Sequence, residues 1–423
     1  MHHWIGVHLP RLPIESFCPT WYMPVSDNGF VVLEKGRVLD ADAAARSQGV
    51  VDGMRRGGVL TLAPNADLRE RELTREEQTV RGVAFALLQF TPNVVIADEN
   101  VVLADVTASL RLFGGLRALR RRVRRTVADV GVTSTASIAP TAEATWLIAR
   151  AGGGVALTQR SLSRVLKRIP LGVLPAARRF AEWFDGLGCA TIGDVTRLPR
   201  AGLKKRCGTA LLDALDRAKG EAPEVHEWLT MPPAFDARVE LPDRIEYVEA
   251  TLFAARRLTL QMTGWLAARQ LAVARFVVSL EHERGRDAIP PTDVEVALGE
   301  PTWHEEHLVR LLKERLSRIE LAAERVFIGP QGKGSPGLSR CNRKNARKER
   351  DPLTTASHAQ LGVWANGLSP FEHQRVGLPS SEGFGQSCAS RSGCGCSGGS
   401  VGREAPGVPS ASCTCWSTRA WRY

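Results

Sequence analysis

The order of periodic segments in the first third of the chain constrains the fold most. Short apolar runs alternate with stretches whose hydrophobic residues recur every three or four positions, and these two periods are typical of strands and of amphipathic helices. The segments are Trp4–Leu9, Arg75–Gln89, Val94–Ala97, Val101–Val106, Leu116–Val130 and Ser134–Ala139. Their order, β-α-β-β-α-β, predicts a ferredoxin-like sheet with both helices on one face.

A long insertion separates the first strand from the first helix. It covers roughly residues 11–74 and contains an apolar run, Phe30–Leu33, and a helical pattern near Ala41–Gln48. Connections of this length without structure of their own are uncommon in compact domains. We therefore predict a small inserted subdomain within a first domain that covers residues 1–165.

The middle of the chain has a different pattern. Short helical pieces interrupted by Pro and Gly predict a compact helical domain over residues 166–230. Within it, Gly186–Val195 is typical of one helix that ends on glycine and another that begins at Thr191.

Residues 236–329 repeat the first topology without repeating its sequence, so the whole chain is predicted to be α+β. The segments are Ala237–Leu241, Val248–Ala268, Ala272–Leu280, Val294–Leu298, His304–Ile319 and Arg325–Ile328. The first helix is predicted to be amphipathic, with Leu252, Ala255, Met262 and Leu266 facing inward.

Periodicity is lost after Gly329, and the abundance of Gly, Ser and Pro predicts a disordered tail over residues 330–423. The end of this tail, from about Ser380, resembles GC-rich coding sequence read out of frame, and we assign it no function. Its Cys394-Gly-Cys396 and Cys413-Thr-Cys415 pairs are spaced more closely than zinc ligands usually are. We therefore predict no metal site there.

Charge and hydropathy narrow the possible functions. The net charge is +11, but residues from 331 onward contribute 12 Lys and Arg against 5 Asp and Glu, which leaves +4 for the first 330. Local clustering must therefore support any contact with nucleic acid. The chain has no apolar run of about 18 residues and no secretory signal at Met1–Ile5. We expect a cytoplasmic, nucleoid-associated protein with no membrane contact.

Five segments, in this order, resemble motifs of the Y-family (translesion) DNA polymerases, and most closely their ImuB-type bacterial homologues. They are Trp4–Phe17, Asn100–Thr107, Ser109–Gly115, Ser137–Pro140 and Gly186–Val195. The resemblance covers roughly residues 4–330. It implies a ferredoxin-like palm with inserted fingers, a helix-hairpin-helix thumb and a little finger, in the order of the predicted domains.

The resemblance also implies where catalytic carboxylates would lie. Polymerase chemistry uses two Mg²⁺ ions held by hard oxygen ligands. In the aligned positions the first strand has His8 and Pro10 in place of two Asp, and Asn100 and Val101 replace an Asp-Glu pair. Imidazole is a poor Mg²⁺ ligand, and Pro and Val offer none. We predict no catalytic residue, no metal and no cofactor at these degenerate positions.

An alternative remains open. Asp98 and Glu99 lie just before the aligned pair and could, with Asp105, form an atypical metal site in an active translesion polymerase. The simpler interpretation of Asp98-Glu99 is a solvated turn. Of the triphosphate clamp that the family carries in its fingers, only Arg46 remains.

Two sets of residues are candidates for DNA contact. Arg117, Arg120, Arg121 and Arg124 fall on one face of a predicted helix, where they could contact phosphates or could form an ordinary solvated face. Gly186, Gly188 and Gly193 resemble a helix-hairpin-helix turn, whose backbone amides contact phosphates. A purely structural turn is the other possibility.

The tail carries a candidate binding peptide. Gln360-Leu361-Gly362-Val363-Trp364 fits the Gln-Leu-x-aliphatic-aromatic peptide with which bacterial polymerases bind the sliding clamp. In this interpretation the Gln360 amide sets the orientation, and Leu361, Val363 and Trp364 enter an apolar pocket.

Together these features predict a non-catalytic scaffold in damage-induced mutagenic repair. The resemblance implies four partners: DNA, the sliding clamp, a RecA-like ImuA-type protein and an error-prone C-family polymerase. The alternatives are the active polymerase described above and a plain DNA-binding repair module that has no clamp contact.

Overall fold

The computed structural model describes residues 2–21, 28–240, 248–282 and 290–318 and the backbone of a strand at 326–328. All of them belong to one compact unit, Met1–Glu372, and the second unit, His373–Tyr423, lies outside the described residues. The predicted disordered tail, 330–423, also lies outside them. In the described part, no helix combines the length and apolarity needed to cross a bilayer.

The fold is α+β, as predicted. Its strands are β1 Trp4–His8, β2 Phe30–Glu34, β3 Arg37–Ala41, β4 Asp67–Glu70, β5 Val94–Ala97, β6 Val101–Asp105, β7 Thr135–Ala139, β8 Gly154–Val155, β9 Val273–His282, β10 Thr292–Thr302 and β11 Val326–Ile328. Its helices are α1 Leu12–Glu15, α2 Ala43–Ser47, α3 Arg56–Leu62, α4 Leu73–Leu87, α5 Leu116–Val130, α6 Ala142–Arg150, α7 Gln159–Leu166, α8 Pro175–Arg178, α9 Ala181–Gly186, α10 Ile192–Val195, α11 Arg200–Cys207, α12 Ala210–Lys219, α13 Val248–Arg269 and α14 Glu305–Leu316.

The first sheet has the predicted ferredoxin-like order. The strands lie as β5-β6-β1-β7-β8, and every neighbouring pair is antiparallel except β7 and β8. Successive side chains of β1 alternate between the two faces. Ile5 and Val7 enter the core formed with α4 and α5, whereas Trp4 enters the core shared with α6 and the short helices that follow it.

The insertion forms a subdomain with its own core. Its strands lie in the order β3-β2-β4. Val31, Leu33 and Val38 of these strands are buried together with Ala45 of α2 and Val59 of α3. The predicted strand at Phe30–Leu33 and the predicted helix near Ala41–Gln48 are confirmed as β2 and α2.

The C-terminal half differs from the prediction at its first strand. Over the described residues 237–240, Val239 makes only a single bridge, and no strand forms. Side chains hold this segment instead: Val239 is buried in the core with α4 and α13, and Glu240 pairs with Arg75 of α4. The remaining strands lie in the order β10-β9-β11.

Helix α13 is buried on both sides, so the prediction of an amphipathic helix is wrong. It packs against α4 and α5 on one side and against α14 and β11 on the other. Leu258, Leu260 and Trp265 are buried as fully as Ala255, Met262 and Leu266, whereas Leu252, also predicted to face inward, is only partly buried. The four helices α4, α5, α13 and α14 thus pack back to back between two sheets.

Two glycines permit the close approach of α4 and α13. A Cβ atom on Gly264 would lie 1.8 Å from the carbonyl oxygen of Phe85, and one on Gly82 would lie 2.8 Å from the side chain of Gln261. The resulting core contains residues of both the N-terminal β-α-β-β-α-β region and the C-terminal region. The domain boundaries proposed from the sequence stay a prediction.

Candidate functional site

The four degenerate positions meet at one end of β1. His8 is the last residue of β1 and pairs with Val101 of β6 and with Thr135 of β7. The carbonyl of Asn100 accepts a hydrogen bond from the amide of Leu9 at 3.0 Å. Pro10 follows immediately and is exposed, whereas Val101 is fully buried.

A chain of ion pairs occupies this end of the sheet. Arg150, at the end of α6, donates a hydrogen bond to Nε2 of His8 at 2.9 Å and pairs with Glu99 at 2.6 Å. Arg178, at the end of α8, donates to both oxygens of Glu99 at 2.5 and 2.9 Å. We call His8, Arg150, Glu99 and Arg178 the arginine network.

Burial and the neighbouring charges set the protonation of the network. Burial, with the adjacent Arg150 charge, lowers the pKa of His8 to about 4, so the imidazole is neutral near pH 7. The hydrogen bonds from Arg178 lower the pKa of Glu99, and the Arg150 charge adds to this, so Glu99 is ionised. Two guanidinium groups and one carboxylate leave the network with a net positive charge.

These residues do not fit a pair of Mg²⁺ ions. Mg²⁺ requires hard oxygen ligands in near-octahedral geometry, and both oxygens of Glu99 already accept hydrogen bonds from Arg178. The guanidinium of Arg150 lies against His8, where it would repel a divalent cation. The donor set of active Y-family enzymes is therefore absent from these positions.

The alternative metal site is not assembled either. Glu99 precedes β6, whereas Asp105 ends it and accepts hydrogen bonds from the amide and hydroxyl of Thr107 at 3.0 and 2.5 Å. The two carboxylates are thus separated by the length of the strand. Within the described ranges, no group of three or more His, Cys, Asp or Glu side chains could hold a metal.

The turn between β5 and β6 is only partly solvated, so the simpler interpretation of Asp98-Glu99 is wrong for Glu99. Glu99 and Asn100 have φ angles of 58° and 61°, in the left-handed region that non-glycine residues rarely adopt. The turn is held from both sides, because Trp146 donates to the carbonyl of Asp98 at 2.9 Å and the arginine network binds Glu99.

Arg46, the remaining residue of the triphosphate clamp, is also paired within the chain. Its guanidinium bonds to Asp40 at 3.1 Å and to Asp52 at 2.8 Å, and these hydrogen bonds raise its pKa against the effect of burial. Asp40 also binds Arg11. A triphosphate would have to displace these carboxylates.

We call the predicted DNA-contact residues of α5, Arg117, Arg120, Arg121 and Arg124, the arginine stripe. The stripe lines a groove of about 900 Å³ between α5 and the β7–β8 edge of the first sheet. Arg117, Arg121 and Arg124 are exposed and have no ion pair within the described ranges. Arg120 instead donates to the carbonyl of Ala136 at 2.9 Å, and burial, with Arg124 nearby, lowers its pKa. The groove is therefore basic and accessible.

The three glycines of the predicted helix-hairpin-helix turn differ from one another in burial. Gly186 and Gly188 are exposed, and Gly188 has a φ of 70°. Gly193 is buried, and its amide donates to the carbonyl of Lys167 at 3.2 Å. A Cβ atom there would lie 2.6 Å from that carbonyl, which favours a structural role for Gly193. The clamp peptide Gln360, Leu361, Val363 and Trp364 lies outside the described residues.

Sequence reasoning missed Arg150 and Arg178. The sequence did contain a signal for α6, the helix that carries Arg150. Thr141 is a good N-cap before the Ala-rich run of this helix, and its side chain accepts a hydrogen bond from the amide of Ala144. Glu99 and Arg178 are 79 positions apart, and no local pattern connects them.

A scan against protein-family models matches residues 25–150 to the impB/mucB/samB family (IMS). Residues 25–150 are thus similar to the impB/mucB/samB family. The resemblance to Y-family polymerases predicted from the motifs is thereby confirmed. The matched residues include Asn100, Val101, the arginine stripe and Arg150, whereas His8 and Pro10 precede them.

The chain is also similar to protein ImuB from two strains of Caulobacter vibrioides. In each case 26% of residues are identical over 273 positions, which are 64% of this chain and 59% of the relative. The chain thus matches less than two thirds of the length of these relatives.

Two solved structures are similar at lower identity. A ternary complex of Dbh is 18% identical, with 77% of this chain and 98% of that chain covered at a TM-score of 0.42. DinB from Sulfolobus solfataricus is 18% identical, with 77% and 96% covered at a TM-score of 0.41.

Proposed function

We propose that this chain is a non-catalytic scaffold in damage-induced mutagenic repair, which binds DNA and the sliding clamp and recruits an error-prone polymerase. One observation carries the proposal: the arginine network fills the place where an active Y-family enzyme would hold paired carboxylates. The similarity to ImuB supports a role in mutagenesis.

The scaffold would act by combining weak contacts. The groove lined by Arg117, Arg121 and Arg124 is suited to phosphates, and the peptide Gln360–Trp364 has the composition of a clamp ligand. Linking such contacts raises the effective concentration of each for its partner. A RecA-like ImuA-type protein and a C-family polymerase would complete the assembly in the cytoplasm, near the nucleoid.

A primer-extension assay tests the absence of catalysis. With Mg²⁺ or Mn²⁺, a primed template and all four nucleotides, we expect no extension, because Glu99 is bound by two arginines and His8 offers no carboxylate. An active Y-family polymerase in the same buffer is the positive control. Extension that increases with the amount of purified chain would contradict the proposal.

Clamp binding requires a separate test. The Gln360→Ala plus Trp364→Ala variant removes the orienting amide and the aromatic anchor, so we expect at least a tenfold loss of affinity for the clamp by surface plasmon resonance. Gln374→Ala plus Trp416→Ala changes the same residue types elsewhere in the tail and should leave the affinity unchanged. Equal affinities for both variants would reject the peptide assignment.

A further inference from the structure

A second groove, of about 910 Å³, lies at the β5 edge of the first sheet, the edge opposite to the basic groove. It is bounded by β5, α6, α8, α12 and the segment Pro223–Glu227. Its floor is mostly apolar and includes Val95, Leu103, Trp146, Leu174 and Ala214. We call it the β5 groove.

The backbone of β5 is open to a further strand at one residue, Ile96. The carbonyl of Val94 accepts a hydrogen bond from the amide of Leu229 at 2.8 Å, so it faces away from β6. Because antiparallel pairing alternates every two residues, the backbone groups of Ile96 face the same way. Within the described ranges, no hydrogen bond outside the sheet uses them. The segment that contains Leu229 contacts this edge at Val94, and Trp146 contacts it at the carbonyl of Asp98, so the bonds on either side leave Ile96 available.

The rim of the groove is acidic, although the chain as a whole is basic. Asp98 and Glu227 are exposed and have no ion pair in the described part of the chain. Glu224 accepts hydrogen bonds from the first amides of α6, at 2.9 and 2.7 Å. Arg217 also lines the groove but is paired with Glu143 at 3.2 Å. Such a rim repels phosphates and attracts basic side chains.

Exposed apolar side chains flank the groove. Val225 is 95% exposed and Trp228 is 46% exposed, and the Trp228 ring stacks on Trp4 with centroids 5.9 Å apart. A rigid, partly exposed tryptophan beside apolar neighbours is typical of protein interfaces, where such residues often dominate the binding energy.

We propose that the β5 groove binds an extended, basic segment of a partner protein as an added strand. Main-chain hydrogen bonds would form at Ile96, lysine or arginine side chains would face Asp98 and Glu227, and the alternate side chains would enter the apolar floor. This inference goes beyond the proposed function and does not depend on it, because it involves neither the basic groove along α5 nor the clamp peptide.

A short fluorescent peptide of alternating lysine and valine serves as the probe, and its binding to the full chain is measured by anisotropy. We expect Asp98→Lys plus Glu227→Lys to weaken binding about tenfold or more. Glu70→Lys plus Glu77→Lys makes the same change in net charge at exposed positions of β4 and α4, and it should leave binding unchanged. If both variants weaken binding equally, or neither does, the proposal is overturned.

N-methylated probes test the strand geometry. Methylation of alternate amides in one register should abolish binding, whereas methylation in the other register should not, because only one set of amides faces β5. Equal effects of the two registers would overturn strand addition. Competition by an oligonucleotide, or self-association that Asp98→Lys plus Glu227→Lys abolishes, would assign the groove to DNA or to a second copy and would likewise overturn the proposal.

Discussion

Burial keeps the imidazole of His8 neutral in the folded protein. It is 7% exposed and accepts a hydrogen bond from Arg150. Its pKa falls from 6.5 to about 4. Between these values the unfolded chain binds a proton that the folded chain does not. The free energy of unfolding therefore decreases as the pH falls from about 6.5 towards 4.

The expected size of this effect is measurable. Urea unfolding at pH 7 and pH 4.5 should show that the wild-type chain loses about 2 kcal/mol more than the His8→Asn variant, whose amide does not titrate. His2 is exposed, so His2→Asn should follow the wild type. Parallel pH dependences of wild type and His8→Asn would contradict a buried neutral imidazole.

The sequence predicts only those residues of the site that lie in or beside a strand. His8, Pro10, Asn100 and Val101 could be placed because each lies in or beside a strand with a readable pattern, and the structure brings them to one end of β1. The network that fills the site could not be placed, because Arg178 reaches Glu99 from a separate helical region.

Helix α5 shows what periodicity predicts well. Leu119, Val123, Val127 and Val130 are buried, and this stripe fixes the direction of the remaining side chains. The predicted arginine face is therefore present, with Arg120 as an exception. Its side chain extends to the neighbouring strand, and helical spacing alone does not reveal such a contact.

The exposed arginines of α5 make a prediction about salt dependence. Arg117→Ala, Arg121→Ala and Arg124→Ala combined should weaken binding to duplex DNA. The slope of log K against log salt should become shallower by about 2 to 3, since each phosphate contact contributes about 0.9. The measurement is fluorescence anisotropy over a salt series.

A matched triple variant tests whether this loss is local. Lys313→Ala, Arg315→Ala and Arg318→Ala remove the same charge from exposed positions at the end of α14. We expect little change in the slope for this control. Identical slopes for the two triple variants would show that α5 has no special contact with DNA.

Helix α13 shows where periodicity misleads. The stripe predicted to be buried consists of Leu252, Ala255, Met262 and Leu266. Leu252 is only partly buried, and Leu258, Leu260 and Trp265 lie outside the stripe but are buried. The apolar residues of α13 are spread around the helix rather than along one stripe, which is typical of a helix that packs on more than one side. Part of the signal was therefore present in the sequence. The sequence did not show which helices α13 packs against on its second side.

At the scale of the whole molecule, the N-terminal β-α-β-β-α-β region and the C-terminal region depend on each other. Their helices share one core, and Arg256 of α13 binds both Asp129 of α5, at 3.0 Å, and Glu305 of α14, at 3.1 Å. Neither region buries α13 completely by itself. We therefore expect the two regions to unfold in one cooperative transition.

The contact between Gly264 and Phe85 tests this coupling, because helix propensity and packing predict opposite results. Alanine is preferred to glycine inside a helix by up to about 1 kcal/mol, and Gly202→Ala in α11, with open space around it, should be stabilising. At Gly264 the added methyl group would overlap the Phe85 carbonyl, so Gly264→Ala should lower the free energy of unfolding by about 3 kcal/mol. Urea unfolding followed by tryptophan fluorescence measures both variants. If Gly264→Ala stabilises the chain as Gly202→Ala does, α4 and α13 are not in contact, and the shared core must be rejected.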